Sequence, residues 1–562
     1  IMELNAERHF SAIPATYVDH SRFNIPYDWT CTINAGLLNC FYVDEWIPGD
    51  IHNISTSHLT RMTTPVAAPF DTCFLDVYYF FVPWRLVWSH SKEFFGENNS
   101  TYWTQPTEYT IPSVNISSWT RTPGDLLHQM GITLRPVNSG NNCLINTLQL
   151  RSYQKVFNDY FRDENTQSPI AINMADNGDT SALNTLLPVN RIHDMFGSCL
   201  PGPQKSSNGV ALALEGFVPV STMSNDWSET VLKFEGLTNF GMKLKNSSGT
   251  VAAGNLGSNG SGYAVNTTGS NTSTNTVHPS NLAADVSSGS IDINQFRLAL
   301  QTQKVLEALA RGGSRYVEIL QSIYGVKSDD ARLQRPEFLG GERWYINMAD
   351  NVQTSETGTT PLGTVGGYSK TFGRSQNGPV SYSVREHGFG LGVACIRHNR
   401  SYSQMIPKQF RRTNFFSIYN PKFAHLGEQP VYVSEICADY IVPNAVGPQD
   451  PSQNIFGFQE YAYEYRWKNS ILAGQMAPGA TVVPAGQTGA GDPTALGTVW
   501  TYGDYYKSAP SLSDSWMREG DEAVKRTLQV PTEDQFFCSI HVNDDAIRPM
   551  PMYSVPGFVD HF

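Results

Sequence analysis

Residues 290–341 read SIDINQFRLALQTQKVLEALARGGSRYVEILQSIYGVKSDDARLQRPEFLGG, the clearest helical signal in the chain. Asp292 or Asn294 offers a side-chain oxygen to the orphan amides of a helix start. Phe296, Leu300, Val305, Leu306 and Leu309 follow at roughly helical spacing. Gly312 and Gly313 end that helix, because glycine reaches the left-handed conformation at little steric cost. Tyr316, Ile319, Leu320, Ile323 and Tyr324 then form an i, i+3, i+4, i+7, i+8 stripe, stopped by Gly325. The pattern predicts two amphipathic helices lying on a core. Pro336 holds Arg335 extended, and Gly340 with Gly341 permits a sharp reversal. Nothing in the stretch has catalytic spacing. It reads as a helical insertion, 292–341, in a chain otherwise built of short strands and loops.

Upstream, WTCTINAGLLNCFYVDEWIPGD, HNISTSHLTRMTTPV and FDTCFLDVYYFFVPWRLVW predict strands from about residue 23 to 81. Pro48-Gly49-Asp50 marks a turn, and Pro83 closes the last of these strands. Near-continuous apolarity in that strand predicts burial on both faces. A short helix is expected at 124–130, and a longer one at 148–161 with Leu150, Tyr153, Phe157 and Tyr160 on one face. From 206 to 291 the composition shifts. KNSSGTVAAGNLGSNGSGYAVNTTGSNTSTNTVHPSNLAADVSSGS is almost pure Gly, Ser, Asn and Thr, too polar to offset ordering entropy by itself. Its flank, ALALEGFVPVSTMSNDWSETVLKFEG, is strand-like and needs partners.

Downstream, GPVSYSVREHGFGLGVACIRH returns to strands. GFGLGV is glycine-rich, but no helix pattern follows it, so a dinucleotide site is not assigned. Tyr461, Tyr463 and Tyr465 alternate with Ala462, Glu464 and Arg466, the period of a half-exposed strand. Such a ladder serves as core, as subunit contact, or as a surface for stacking nucleobases. Residues 536–542 predict the last strand. Pro549, Pro551 and Pro556 then forbid helix and imply an extended arm, 543–562.

At 562 residues, length alone permits about three or four domains. Aromatics at 12% against only 16% charged residues, with 46 Gly and 33 Pro, favour many short strands and turn-rich loops. The eight cysteines contain no CxxC pair and sit among apolar neighbours, so they read as reduced, buried thiols. No apolar run approaches the ~20 residues of a membrane span. The opening residues, IMELNAERHFSAIP, do not follow the basic-then-apolar order of an export signal, and a start at Ile1 leaves open what precedes them. The formal charge of −12 makes a poor sequence-independent DNA binder, so a separate basic partner or small cations would neutralise any enclosed genome. His193-Asp194 lacks a partnered nucleophile. No P-loop, HExxH, GxSxG or zinc spacing occurs, and no catalytic residue, cofactor or metal is assigned.

Several of these words share one resemblance. ARGGSRYVEILQSIYGV with DARLQRPEFLGG, FYVDEWIPGD, LRSYQKVFNDYFRDENTQSP, NRIHDMFGSCLPGPQK, AHLGEQ at 424–429 and the C-terminal RPMPMYSVPGFVDHF resemble the major capsid protein of gokushoviruses, small single-stranded DNA phages of the microvirus family. The resemblance implies a mainly β fold. Its centre would be an eight-stranded antiparallel jelly roll of viral capsid type, with long loop and helical insertions, as one domain over 1–562. It implies that 206–291 is a variable surface loop rising at the threefold axes to meet the host. Identical subunits would form the smallest icosahedral shell around the single-stranded DNA. A small basic DNA-binding protein, pilot and scaffolding proteins and a host cell-surface receptor would be partners. Assembly would take place in the bacterial cytoplasm. Within that reading Arg8, Lys408, Arg411 and Arg412 are candidate genome contacts. Arg335, Pro336, Phe338, Arg548, Pro549 and Phe562 are candidate subunit contacts, and Asn259, Tyr263 and Asn271 face a receptor. Two other classes compete: a secreted β-rich glycosidase, which needs a carboxyl pair at a set separation, and a surface adhesin or carbohydrate-binding protein.

Overall fold

The structure, a computed structural model, describes residues 18–97, 108–132, 143–205, 293–352, 365–438, 455–477 and 499–553, apart from a few positions within them. It also describes short strands at 220–222, 234–235, 278–279 and 282–284. Two compact units emerge: residues 1–207 with 306–562, and residues 208–305.

Among the described residues, the two largest antiparallel sheets of the larger unit hold nine strands. In chain order they are β1 (Ser21–Ile33), β2 (Asn39–Trp46), β3 (Ile51–Met62), β4 (Cys73–Pro83), β5 (Glu337–Ile346), β6 (Thr371–Arg374), β7 (Val380–Ser383), β8 (Gly388–His398) and β9 (Phe536–Arg548). One sheet has the order β1-β9-β3-β6, with β7 also paired to β3; the other is β5-β4-β8-β2. The mainly antiparallel β expectation is met, with helical insertions between the strands. The strand count differs from the eight expected because β6 and β7 divide one edge between them. β6 pairs with residues 57–60 of β3 and β7 with 51–54, the chain turning out between them near Gly378-Pro379.

Side-chain period explains which face each sheet buries. β3 alternates strictly: His52, Ile54, Thr56, His58, Thr60 and Met62 point inward, while Leu59 and Arg61 are exposed. Its sheet therefore has one core face and one open face. β4 is buried along nearly its whole length, because its sheet is covered twice. Leu75, Val77, Tyr79 and Phe81 join the core shared with β1, β3 and β9. Phe80 and Val82 face a second core, formed with Leu148, Leu150, Tyr153 and Val156 of helix α1 (Leu148–Val156).

β8 resolves the glycine-rich word. Phe389, Leu391 and Val393 enter the second core, while Gly388, Gly390 and Gly392 face the first. A Cβ on Gly390 would lie 2.3 Å from the indole of Trp46, and one on Gly388 2.4 Å from the ring of Phe81. These glycines make room for aromatic rings, not for a phosphate.

Several buried charges are paired. Asp76 of β4 accepts from Arg343 of β5 at 2.6 and 2.9 Å and from Arg397 of β8 at 2.9 Å, tying three strands together. Arg400 bonds Asp504 at 2.8 Å and Glu519 at 2.5 Å, and Arg191 reaches Asp504 at 3.2 Å. Burial alone would raise the Glu519 carboxyl, but Arg400 and His398 hold it below its ordinary value. Asp194 accepts from the Gly197 amide and the Tyr402 hydroxyl, so the His193-Asp194 pair is structural, as expected. All eight cysteines are free thiols; burial pushes Cys40, Cys395 and Cys538 up to about 12.

Three expectations are corrected. Helices α2 (Ile293–Gly312) and α3 (Tyr316–Tyr324) form where the pattern places them. The stripe of α2 does not lie on a core along its length, however: Phe296, Leu300 and Val305 are exposed, and only Ala310 near its end is buried. The tyrosine ladder is not a strand. After a strand at Ile455–Gln459, Ala462 takes a left-handed conformation (φ 60) and Tyr463–Tyr465 is a 3-10 turn. The last strand extends past 542 to Arg548, because residues 543–548 still find β1 opposite them and Pro549 is the first residue without an amide hydrogen to donate. In the smaller unit, residues 220–222 pair with 282–284 and 234–235 with 278–279, both antiparallel, so the insertion returns on itself as nested pairs.

Candidate assembly and nucleic-acid surface

The stretch 405–426, MIPKQFRRTNFFSIYNPKFAHL, carries four basic residues and no acidic one in a chain of net −12. Pro407 and Pro421 keep it out of regular structure, and it folds as three 3-10 turns, Lys408–Arg411, Phe415–Ser417 and Pro421–Phe423. The asparagines set these turns. Asn414 Oδ1 accepts the Ser417 amide at 2.9 Å, and Asn420 Oδ1 accepts the Lys422 amide at 2.9 Å. The module beneath is a third core of Phe196, Tyr402, Val431, Ile436, Phe456 and Trp516.

The basic cluster read from the sequence is assembled here, but its charge is spent inward. Lys408 lies 3.7 Å and Arg412 2.8 Å from Glu464, and Arg411 is 3.7 Å from Glu435. Each cation also covers a ring: Lys408 over Tyr463 at 4.3 Å, Arg411 over Tyr432 at 5.0 Å, Arg412 over Tyr465 at 4.6 Å. Glu435 accepts from the Tyr463 hydroxyl at 2.6 Å, and burial pushes its carboxyl up. All three basic side chains are half-buried; Lys422 is exposed. Tyr463, the middle ring of the three-tyrosine ladder, is sealed in the core.

What the sequence reading missed lies beside this cluster. Phe410, Phe415 and Phe416 are 74%, 68% and 69% exposed, and Ile418, Tyr419, Tyr465 and Trp467 are exposed around them. A soluble monomer rarely presents so many large rings together. The available signal was the pairing of aromatic and basic residues without acids or periodicity.

The other candidates are placed as follows. Arg335 bonds Asp330 at 2.6 Å and covers the Tyr160 ring, and Pro336 is buried with its carbonyl accepting from Tyr160. Arg548 is held by Asp44 at 2.7 Å. These side chains are committed within their own subunit. Phe338 is 46% exposed and Pro549 half-buried, both open to a neighbour. Arg8, Phe562, Asn259, Tyr263 and Asn271 lie outside the described residues. Among the described residues no cluster of His, Cys, Asp and Glu is arranged to hold a metal.

Residues 11–558 match the family of the capsid protein known as F protein. The chain belongs to that capsid family. It is 33% identical over 580 residues to capsid protein VP1 of Spiroplasma virus 4, covering 99% of this chain and 98% of that one. The capsid proteins VP1 of Chlamydia phage 1 and Bdellovibrio phage phiMH2K are 30% and 31% identical, again over nearly the full length of both chains. The gokushovirus resemblance therefore holds from one end to the other. This capsid protein is a structural component of a single-stranded DNA phage particle, and its work is association, not catalysis.

Proposed function

We propose that identical copies of this capsid protein close into the smallest icosahedral shell around the single-stranded DNA genome, with a jelly roll as the body of each subunit. The observation that carries the fold is strand order. Counting β6 and β7 as one position gives eight positions in which first pairs with eighth, third with eighth and sixth, second with seventh, and fourth with seventh and fifth. That is a long hairpin rolled into two sheets, the arrangement of capsid jelly rolls. The full-length match to capsid proteins supports the assembly reading.

In this reading 206–291 forms the threefold protrusion, with Asn259, Tyr263 and Asn271 toward a host receptor, and 292–341 is the helical insertion. The arm beyond Arg548, through Pro549 and Phe562, joins Phe338 in meeting neighbouring subunits. Arg8 faces the genome, while Lys408, Arg411 and Arg412, whose charge is met by Glu464 and Glu435, brace the turns beside it. A small basic DNA-binding protein, pilot and scaffolding proteins assist assembly in the bacterial cytoplasm.

Native mass tests the core of the proposal. The expressed chain with its phage partners should sediment as closed, DNA-filled particles in the megadalton range; a lone soluble molecule would overturn it. Shortening 244–290 should leave particle yield intact and reduce adsorption per particle. Lost yield with adsorption unharmed would reject the protrusion's role.

A further inference from the structure

We propose that the phenylalanine-bearing turns of 408–423 are a stacking platform for unpaired nucleotides, so that each subunit holds a short piece of single-stranded DNA through base contacts more than through phosphate contacts. The inference rests on the proposed enclosure of a single-stranded genome and names the surface and chemistry of the contact.

Three observations converge. First, the exposed apolar groups are mostly rings on turns, tilted against one another. Phe415 and Phe416 are 5.5 Å apart at 74°, and Phe416 and Phe423 are 6.2 Å apart at 52°. Such an array leaves separate ring faces open for flat bases instead of one plane for a flat partner. Second, a recess of about 260 Å³ adjoins the rings, lined by Phe416 and Tyr419 with Asn414, Gln429, Glu435 and Glu464 among its polar groups. Third, the turns themselves carry four basic residues and no acidic one in an acidic chain. Lys408, Arg411 and Arg412 are already neutralised by Glu464 and Glu435, however, which leaves exposed Lys422 and Lys468 as the principal phosphate partners.

This arrangement makes a distinctive prediction. Stacking on aromatic side chains is sequence-tolerant and contributes about 1–3 kcal/mol per base. Phosphate neutralisation gives a salt slope of roughly −0.7 per contact on single strands. Two principal cations thus imply a slope of about −1.4, where five acting cations would give about −3.5.

The test uses unassembled full-length subunits and a fluorescently labelled oligothymidylate, with shell formation followed separately by sedimentation. Wild-type subunits should bind with the shallow salt slope. The combined variant Phe410→Ala, Phe415→Ala, Phe416→Ala should lose at least about tenfold in affinity. It should keep its circular dichroism, because the three rings are exposed, and it should still form shells. Lys422→Gln should weaken binding only a few-fold. Unchanged oligonucleotide affinity in the triple variant overturns the inference, as does a steep wild-type slope. Lost shell formation with retained affinity also overturns it, and assigns the face to a second copy of the chain. Failure of the wild-type chain to form DNA-filled particles removes the proposed function itself; loss of the oligonucleotide contact alone removes only this inference.

Discussion

Gly390 has the steric environment most hostile to any other residue in β8. Its missing Cβ would strike Trp46, and Trp46 cannot retreat, since its ring stacks on His52 at 4.1 Å and on Phe81 at 5.8 Å. Gly390→Val should destabilise the unassembled subunit by about 1–3 kcal/mol or more, read as a lower denaturant midpoint. His58 gives a second residue-scale expectation. Buried against Trp344 and bonded to Thr60, it is held at about 4 by burial, with Glu342 opposing that shift only partly. The unfolded chain protonates it near 6.5, so between those values the unfolded state binds more protons. Stability therefore falls as pH drops from 6.5 toward 4, by on the order of 3 kcal/mol in all. His58→Gln should flatten that part of the acid limb in a pH series of thermal midpoints.

At the scale of elements, Asp76 fastens β4 to both its neighbours. It is buried, while Arg343 and Arg397 are partly exposed and converge on it. Asp76→Ala strands two guanidinium groups and should cost about 3–5 kcal/mol, measured by chemical denaturation. Helix α2 shows what an element's pattern does and does not convey. Its period was legible from Phe296 to Leu309, as were its glycine stop and the stripe of α3. The pattern requires that an apolar stripe be covered; it does not say by which molecule. The ladder at 461–465 failed for another reason. Alternation over five residues is weak, and the left-handed turn at Ala462, with Tyr463 bonding the buried Glu435, overrides it.

For the whole molecule, the eight free thiols and two well-covered cores imply a subunit held together without covalent links. Thermal midpoints with and without reductant should agree, and non-reducing gels should show only monomer after denaturation; a reductant-dependent shift would contradict the reading. Among the described residues, the open face of the five-stranded sheet and the rings of 410–416 have no counterpart inside the subunit. They have a place once copies assemble and enclose a genome, which is why so much large apolar surface is tolerated here.

The sequence by itself determined the β-rich class, the burial of β4 on both faces, the two insertion helices, the low-complexity insertion and the absence of catalytic spacing. Local periodicity, glycine and proline chemistry, and words running the length of the chain all act without reference to distant residues. Only the tertiary structure decided that the glycines of β8 make room for Trp46 and Phe81, that Arg411 and Arg412 turn their charge to Glu435 and Glu464, and that the phenylalanines beside them face outward. Those outcomes depend on which residues meet across hundreds of positions, and pairing at that distance leaves no period to read.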